Sequence, residues 1–267
     1  MTPKIFTDVI NLYLPEPHSS LLNGILFGIN LKTTKDFYNQ LKIVGLLHLV
    51  VLSGINITIL ASIITTITQK FSKQISILIT ILTIIIFVFF VGIQAPILRA
   101  AFMGILTLVA IYTGRKNYSF YTLFLSFIFS LILFPKWTKS ISFQLSYAAT
   151  LGIMLFGKFN IKKSKNKIIN FIENIKTDFQ TSLAAQIFTV PIIFIYFKQI
   201  SLIAPIANVL ISFLIPLLMI LGFLTAILGK INYFLGLPFA WICYLILSYI
   251  IWIINLLSKI PGIFISF

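Results

Sequence analysis

The chain has 267 residues, of which 59% are hydrophobic and only 9% are charged. Soluble domains carry about 25% charged residues, so this composition excludes a water-soluble globular protein and indicates an integral membrane protein. Twenty Lys and Arg against five Asp and Glu give a net charge of +15, which predicts Lys-rich cytoplasmic loops in contact with anionic lipid. The single cysteine, Cys243, excludes an intramolecular disulfide and a cysteine-based zinc cluster.

Residues 1–42 form an N-terminal segment before the first long apolar run. Residues 1–17 do not resemble a signal peptide, because they lack a continuous apolar run and carry Asp8 and Glu16. Residues 19–30 are apolar but reach roughly half of the ~20 residues that a span needs. We expect a short interfacial or re-entrant helix there, with Ser19 or Ser20 as its N-cap.

Residues 43–258 are predicted to cross the membrane about eight times. The predicted spans are residues 43–68, 75–91, 96–112, 118–134, 141–156, 182–197, 202–228 and 233–257. Helix breaks are expected at Gly54, Pro96, Pro191 and Pro205, and Pro96 starts the second helix of a tight hairpin because proline is tolerated in a first helical turn. The expected fold class is all-α, a polytopic helical membrane protein with broken or re-entrant helices and a C-terminal tail at 259–267.

The only sustained polar segment is residues 158–178, which is predicted to be a basic loop. The positive-inside rule places this loop in the cytoplasm. With about eight spans, both termini are then expected outside.

Seven polar side chains lie in the apolar spans and are the candidates for a functional site, because a polar group in hydrocarbon is costly without a partner or a water-filled cavity. They are His48, Ser53, Asn56, Arg99, Gln144, Gln186 and Asn208. Arg99 is the strongest candidate, because it would be the only fixed positive charge in the predicted bundle if its side chain faced inward. Two alternatives remain open: Arg99 snorkels to the headgroups, and the uncharged residues only form hydrogen bonds between helices.

The same residues argue against catalysis. His48 and Ser53 are five positions apart, about 140° around one helix, so they do not form a base–nucleophile pair there. The sequence has no H-E-x-x-H motif and no phosphate-binding Gly-Lys-Ser/Thr motif. We therefore expect no enzyme activity, no catalytic residue, no metal site and no cofactor. A lumen lined by the uncharged polar residues and Arg99 would suit a polar or anionic solute.

Five sequence motifs follow one another along the chain. They are E-P then S-L-L-x-G-I-L-x-G at 16–28, G-L-x-H-L-x-x-L-S-G-x-N-I at 45–57, P-x-x-R-A-A-x-M at 96–103, F-Q-L-S-Y-x-A-x-L-G at 143–152, and S-L-A-A-Q-x-x-T-x-P at 182–191 with F-x-Q-x-S-L-x-A-P-x-A-N at 197–208. In this order they resemble the competence domain of ComEC-type DNA-internalisation proteins. Asn56 departs from the pattern, since many members have His there. The fuller architecture of the family adds an OB-like and a metallo-β-lactamase-like domain, for which we expect no room in these residues.

The resemblance implies a channel in the bacterial cytoplasmic membrane that passes single-stranded DNA inward during natural transformation. The seven polar residues would line its path. The implied partners are single-stranded DNA, membrane lipids, a separate nuclease, a cytoplasmic DNA-translocating ATPase and further copies of the chain.

Two other functions fit the same pattern. One is a transporter of a small polar or anionic solute, and the other is a non-catalytic membrane scaffold whose amides only join helices. The width of the lumen separates the solute transporter from the DNA channel, because a DNA strand needs a path of roughly 10 Å.

Overall fold

The computed structural model describes residues 3–29, 31, 33–47, 54–157, 167–262 and 264–266. These residues form twelve α-helices, one 3-10 helix and two short strands, which confirms the all-α class. In chain order they are α1 (Lys4–Tyr13), α2 (His18–Phe27), α3 (Lys35–Val44), α4 (Gly54–Thr68), α5 (Lys73–Val91), α6 (Ala95–Tyr112), α7 (Ser119–Leu133), the 3-10 helix (Pro135–Lys139), α8 (Ile141–Phe156), α9 (Lys167–Phe197), β1 (Gln199–Ser201), α10 (Ala204–Ser212), α11 (Ile215–Ile231), α12 (Tyr233–Ser258) and β2 (Phe264–Ser266).

Four helices are long and apolar enough to cross a membrane, namely α5, α6, the part of α9 from Ile175 to Phe197, and α12. The pair α10 and α11 is bent by 52° and makes a fifth candidate if it is one broken span. Among the described residues, α4, α7 and α8 are apolar but shorter. The chain is thus a multi-pass membrane protein with four or five candidate spans, and the expected number of eight is not confirmed.

The described chain divides into two compact units. The first contains residues 54–146 together with residues 3–5, and the second contains residues 6–47 and 147–266. The division falls within α8, between Ser146 and Tyr147.

In the first unit, α4, α5 and α6 pack against one another and α7 packs on α6. Ile84 of α5 and Ile97 of α6 are completely buried in this packing. The turn between α4 and α5 is held by a hydrogen bond of 2.6 Å between the buried hydroxyls of Thr68 and Ser76. A buried hydroxyl needs such a partner, so the pair fixes the register of these two helices.

In the second unit, α1, α2 and α3 pack on the hairpin formed by α11 and α12. Asn232 caps α12 by accepting a hydrogen bond from the Phe234 amide at 2.9 Å. The ring of Tyr13 stacks on Tyr233 at 4.7 Å, and its hydroxyl donates to the Tyr233 carbonyl at 2.6 Å. A methyl group on Gly229 would lie 2.7 Å from the Tyr13 ring, so glycine is needed for α1 to approach the hairpin.

Two short strands close the second unit. β1 pairs antiparallel with β2, with Gln199 opposite Ser266 and Ser201 opposite Phe264. The three-residue strands were not predicted, and residues 259–267 were expected to be a tail. Such short strands carry too few residues for a period-two pattern to stand out.

Several predicted elements agree with the structure to within one or two residues. The predicted helices at 118–134, 141–156 and 233–257 correspond to α7, α8 and α12. The hairpin around Pro96 is confirmed, because α5 ends at Val91 and Pro96 lies in the first turn of α6. Pro205 likewise lies in the first turn of α10.

Four expectations were wrong. The predicted span at 43–68 is not one helix, because α3 ends at Val44 and Gly45 caps it in the left-handed conformation. The N-cap of α2 is Pro17 rather than a serine, since the two predicted serines donate to the Glu16 carboxylate instead. The segment 158–178 is helical from residue 167, because lysine and glutamate are good helix formers. Pro191 lies inside the continuous α9. In a membrane helix, neighbouring groups can replace the backbone hydrogen bond that a proline removes.

Candidate functional site

Arg99 is presented by the first turns of α6. Gln94 ends the preceding extended backbone, Pro96 fixes the helical start, and Arg99 follows as the fifth residue of the helix. Its side chain is half-buried. Arg99 therefore lies near the end of a candidate span but is largely covered by protein.

The guanidinium of Arg99 is bound to a second helix. Its Nε donates a hydrogen bond of 2.9 Å to Oγ of Ser146 in α8. A hydrogen bond with a charged donor is stronger than one between neutral groups, so Ser146 fixes one edge of the planar guanidinium. This contact favours the inward-facing interpretation of Arg99 over snorkelling to the headgroups.

A third helix, α4, comes close to the same guanidinium at Gly54. A methyl group in place of a Gly54 hydrogen would lie 3.0 Å from Nη2 of Arg99 and 3.2 Å from Cβ of Ala100. Both distances are shorter than ordinary van der Waals contact. Gly54 therefore lets α4 approach α6 at the position of Arg99, and Asn56 follows two residues later with only 5% of its side chain exposed.

Three of the sequence motifs thus meet at Arg99 within the first unit. S-G-x-N contributes Gly54, P-x-x-R-A contributes Arg99 itself, and F-Q-L-S contributes Ser146. The arrangement places one fixed cation among small and polar groups from three helices. A guanidinium oriented in this way is suited to an anionic ligand or solute.

Gln144 is held in a different way from Ser146, although both belong to the same motif. Its side-chain amide donates to the Thr138 carbonyl of the 3-10 helix at 3.1 Å. Ser140 caps the start of α8 by accepting from the Phe143 amide at 3.3 Å. Gln144 therefore secures the turn that leads into α8, and its hydrogen bond does not connect it to Arg99.

The other two described candidates lie in the second unit. Gln186 is half-buried in α9. Asn208 of α10 donates from Nδ2 to Oγ of Ser182 in α9 at 2.9 Å, which is the interhelical hydrogen bond that the alternative interpretation expected. His48 and Ser53 lie outside the described residues.

A glycine of the F-Q-L-S-Y-x-A-x-L-G motif has a packing role. A methyl group on Gly152 of α8 would overlap the Ala184 carbonyl oxygen of α9. Phe156 and Phe188 extend the contact, with ring centroids 6.2 Å apart. Gly152 is therefore required for the close approach of α8 and α9.

Two polar residues make contacts that the sequence interpretation did not predict. Ser146 was recognised only as part of a motif, although it binds Arg99. His18 was noted only as the histidine before the spans, but its Nε2 lies 3.0 Å from Oγ of Ser248 and its ring stacks on Tyr244 at 4.6 Å. Burial lowers the pKa of His18, while the nearby Glu16 acts in the opposite direction. The available signal for His18 was its position as a polar residue at the start of a short buried helix.

Within the described residues, no three His, Cys, Asp or Glu side chains are placed to hold a metal ion together.

Comparison with protein families gives one clear result. A family model described as competence protein matches residues 25–267, which is most of the chain. Comparisons with curated proteins and with solved structures give no match. The chain belongs to the competence protein family, as a membrane domain of the ComEC type with a role in competence, the uptake of DNA.

Proposed function

We propose that this chain forms the path by which single-stranded DNA crosses the cytoplasmic membrane. The observation that carries the proposal is the half-buried Arg99, whose guanidinium binds Ser146 and lies against Gly54. Every nucleotide of a DNA strand carries a negative charge. A cation whose orientation is fixed by the protein offsets each phosphate as it passes.

One fixed charge suits transit better than tight binding. A groove with many cations would raise the affinity for DNA and slow its release. Hydroxyl and amide groups exchange hydrogen bonds with phosphates and sugars without sequence preference. We assign the path lining to six polar residues of the motifs, namely His48, Ser53, Asn56, Arg99, Gln144 and Gln186, and treat Asn208 as a residue that joins α9 and α10.

The remaining steps of uptake need activities that a membrane path does not supply. Removal of the complementary strand requires a nuclease, and inward movement requires an energy source such as a cytoplasmic DNA-translocating ATPase. A homo-oligomer in the membrane would provide a wider path than one copy. Membership of the competence family supports a role in DNA uptake, and these partners are what such uptake would require.

The experiment is complementation of a transformable bacterium that lacks its competence membrane protein. Arg99→Ala is expected to abolish transformation at a normal membrane level of the protein, and Arg99→Lys is expected to keep part of it, because lysine retains the charge but loses the planar fork. Arg115→Ala is the matched control, since Arg115 is an exposed arginine after α6 and its loss should leave transformation unchanged.

The readouts separate DNA passage from surface binding. Labelled DNA should still bind to cells with Arg99→Ala but should not become protected from added nuclease. Normal transformation by both Arg99 variants would make Arg99 an interfacial anchor. Normal transformation of the deletion strain itself would instead favour transport of a small anionic solute.

A further inference from the structure

Backbone amides without a cap lie at the start of α10 in the second unit. Ile203, the residue before this nine-residue helix, provides no side-chain cap, and Pro205 lies in its first turn. The amides of a first helical turn have no acceptor within their own helix, and they carry the positive end of the helix dipole. The start of α10 therefore offers hydrogen-bond donors to a group outside the helix.

The strand before α10 directs two polar side chains to the same place. Gln199 and Ser201 lie on one face of β1, because successive side chains of a strand point to opposite faces. A methyl group on Gly45 would lie 3.1 Å from Oγ of Ser201 and 2.7 Å from Cβ of Ala204, so the Ser201 hydroxyl lies beside the first residue of α10. This hydroxyl is buried without a partner. The Gln199 side chain is only 9% exposed and has no hydrogen bond to the part of the chain that the structure describes.

A third polar side chain approaches from α9. Two hydrogen bonds join α10 to this helix, from Asn208 to Ser182 and from Ser212 to Asp178. The partners move one turn forward along α10 and one turn backward along α9, so the two helices are antiparallel. One turn further, Ala204 lies opposite Gln186. Gln186 is half-buried within a candidate span, and no described residue forms a hydrogen bond with its side chain.

These groups form one cluster, the α10 cluster, which consists of the side chains of Gln186, Gln199 and Ser201 and the first-turn amides of α10. A polar group without a partner is costly in a membrane protein, so three such side chains beside an uncapped helix start indicate a ligand. The amides, the hydroxyl and both carboxamides donate hydrogen bonds. The nearest acid on α9 is Asp178, which binds Ser212 at the other end of α10. The cluster therefore favours an anion over a cation.

We propose that the α10 cluster binds a phosphate group. The inference rests on the proposed function for the source of this phosphate, which is a passing DNA strand. It adds to Arg99 a second contact that uses no charged side chain. Hydrogen bonds from neutral donors are weaker than those from charged donors, so a phosphate at the cluster is released readily, as transit requires.

The test is cysteine labelling of the full-length protein in permeabilised membranes. Cys243 is completely buried, so the wild-type chain serves as the blank. Gln199→Cys and Gln186→Cys should react with a small sulfonate thiol reagent, because the cluster admits an anion. Ile187→Cys is the matched control, since Ile187 follows Gln186 in α9 and is 54% exposed but points about 100° away from it. The control should react far more slowly, because the reagent does not enter hydrocarbon.

The charge of the reagent tests the preference for an anion. With rates taken relative to a free thiol, the sulfonate should be preferred over an ammonium reagent of similar size by about two- to five-fold at both cluster cysteines, the advantage that a helix start gives an anion. Inorganic phosphate and a short oligothymidine should both slow the labelling. Slowing by phosphate alone would support the phosphate site and contradict DNA as its source, which separates this inference from the proposed function.

Four results would overturn the proposal. They are no labelling of either cluster cysteine in folded protein, equally fast labelling of Ile187→Cys, no preference for the sulfonate, and labelling that neither phosphate nor oligothymidine slows. Gln199 and Gln186 lie on different elements, so if one cysteine variant fails to fold, the other still provides the test.

Discussion

Gly54→Ala tests whether the approach of α4 to α6 places Arg99. The added methyl group would lie 3.0 Å from Nη2 of Arg99 and 3.2 Å from Cβ of Ala100, several tenths of an ångström inside ordinary contact. The guanidinium is the end of a flexible side chain and moves away, whereas the Ala100 methyl group is fixed to the helix backbone. We therefore expect a displaced Arg99 in a protein that still folds.

The magnitude follows from two opposing effects. Overpacking costs about 1–3 kcal/mol, and replacing a helical glycine by alanine returns about 0.5–1 kcal/mol. Gly54→Ala should therefore lower the free energy of unfolding by about 0–2.5 kcal/mol. Gly104→Ala is the control on α6, because its methyl group would lie 4.0 Å from Ile57, an ordinary contact, so only the stabilising effect remains.

Two assays read the outcome. Thermal unfolding in detergent should separate the two alanine variants by about 1–3 kcal/mol, with Gly104→Ala the more stable. Transformation should fall with Gly54→Ala and stay at the wild-type level with Gly104→Ala. If the two variants unfold alike and both transform normally, the guanidinium does not lie against Gly54 and the reasoning fails.

Three further predictions concern single contacts. Ser146→Ala removes the acceptor of the Arg99 hydrogen bond and should lower transformation, whereas Ser146→Thr should restore it. Gly152→Ala places a methyl group on a backbone carbonyl of α9 that cannot move aside, and it should reduce the amount of folded protein in membranes. Burial lowers the pKa of His18 against the effect of Glu16, so the unfolded state binds the proton more tightly. Stability should be complete above about pH 6.5 and decline below it, and His18→Gln should remove that part of the decline, as followed by thermal unfolding across the pH range.

The sequence predicts helices best where apolar runs end at turn residues. The hairpin around Pro96 is the clearest case, because a proline in a first helical turn marks the start of α6. It predicts less well where a helix continues into polar sequence, as α9 does before the apolar run that begins at Ile175. Hydropathy marks the hydrocarbon of the membrane, whereas backbone hydrogen bonds extend a helix beyond it.

The sequence predicted only part of the candidate site. Arg99 stands out because a charge within an apolar run is costly. Its partners do not stand out, since Ser146 and Gly54 are ordinary residues in membrane helices and their proximity depends on how the helices pack. Gln144 belongs to the same motif as Ser146, but its amide binds the Thr138 carbonyl, a local contact that no hydropathy pattern encodes.

Two pairs of polar residues now allow structural and functional roles to be separated by measurement. Arg99 with Ser146 and Asn208 with Ser182 each join two helices by a hydrogen bond of 2.9 Å, but only the first includes a charge. Hydrogen bonds between membrane helices contribute on average about 0.6 kcal/mol, so a double-mutant cycle of alanines at Asn208 and Ser182 should give a coupling free energy near that value, with transformation reduced no further than the loss of folded protein.

The Arg99 and Ser146 cycle should differ in its second readout. Its coupling in stability is expected to be somewhat larger, because one partner is charged, but transformation should fall far more than folded protein does. The reason is that the charge acts on the passing phosphates, and the hydrogen bond only orients it. If transformation follows the amount of folded protein equally in both cycles, Arg99 is a structural residue like Asn208, and the proposed role of its charge in DNA passage is wrong.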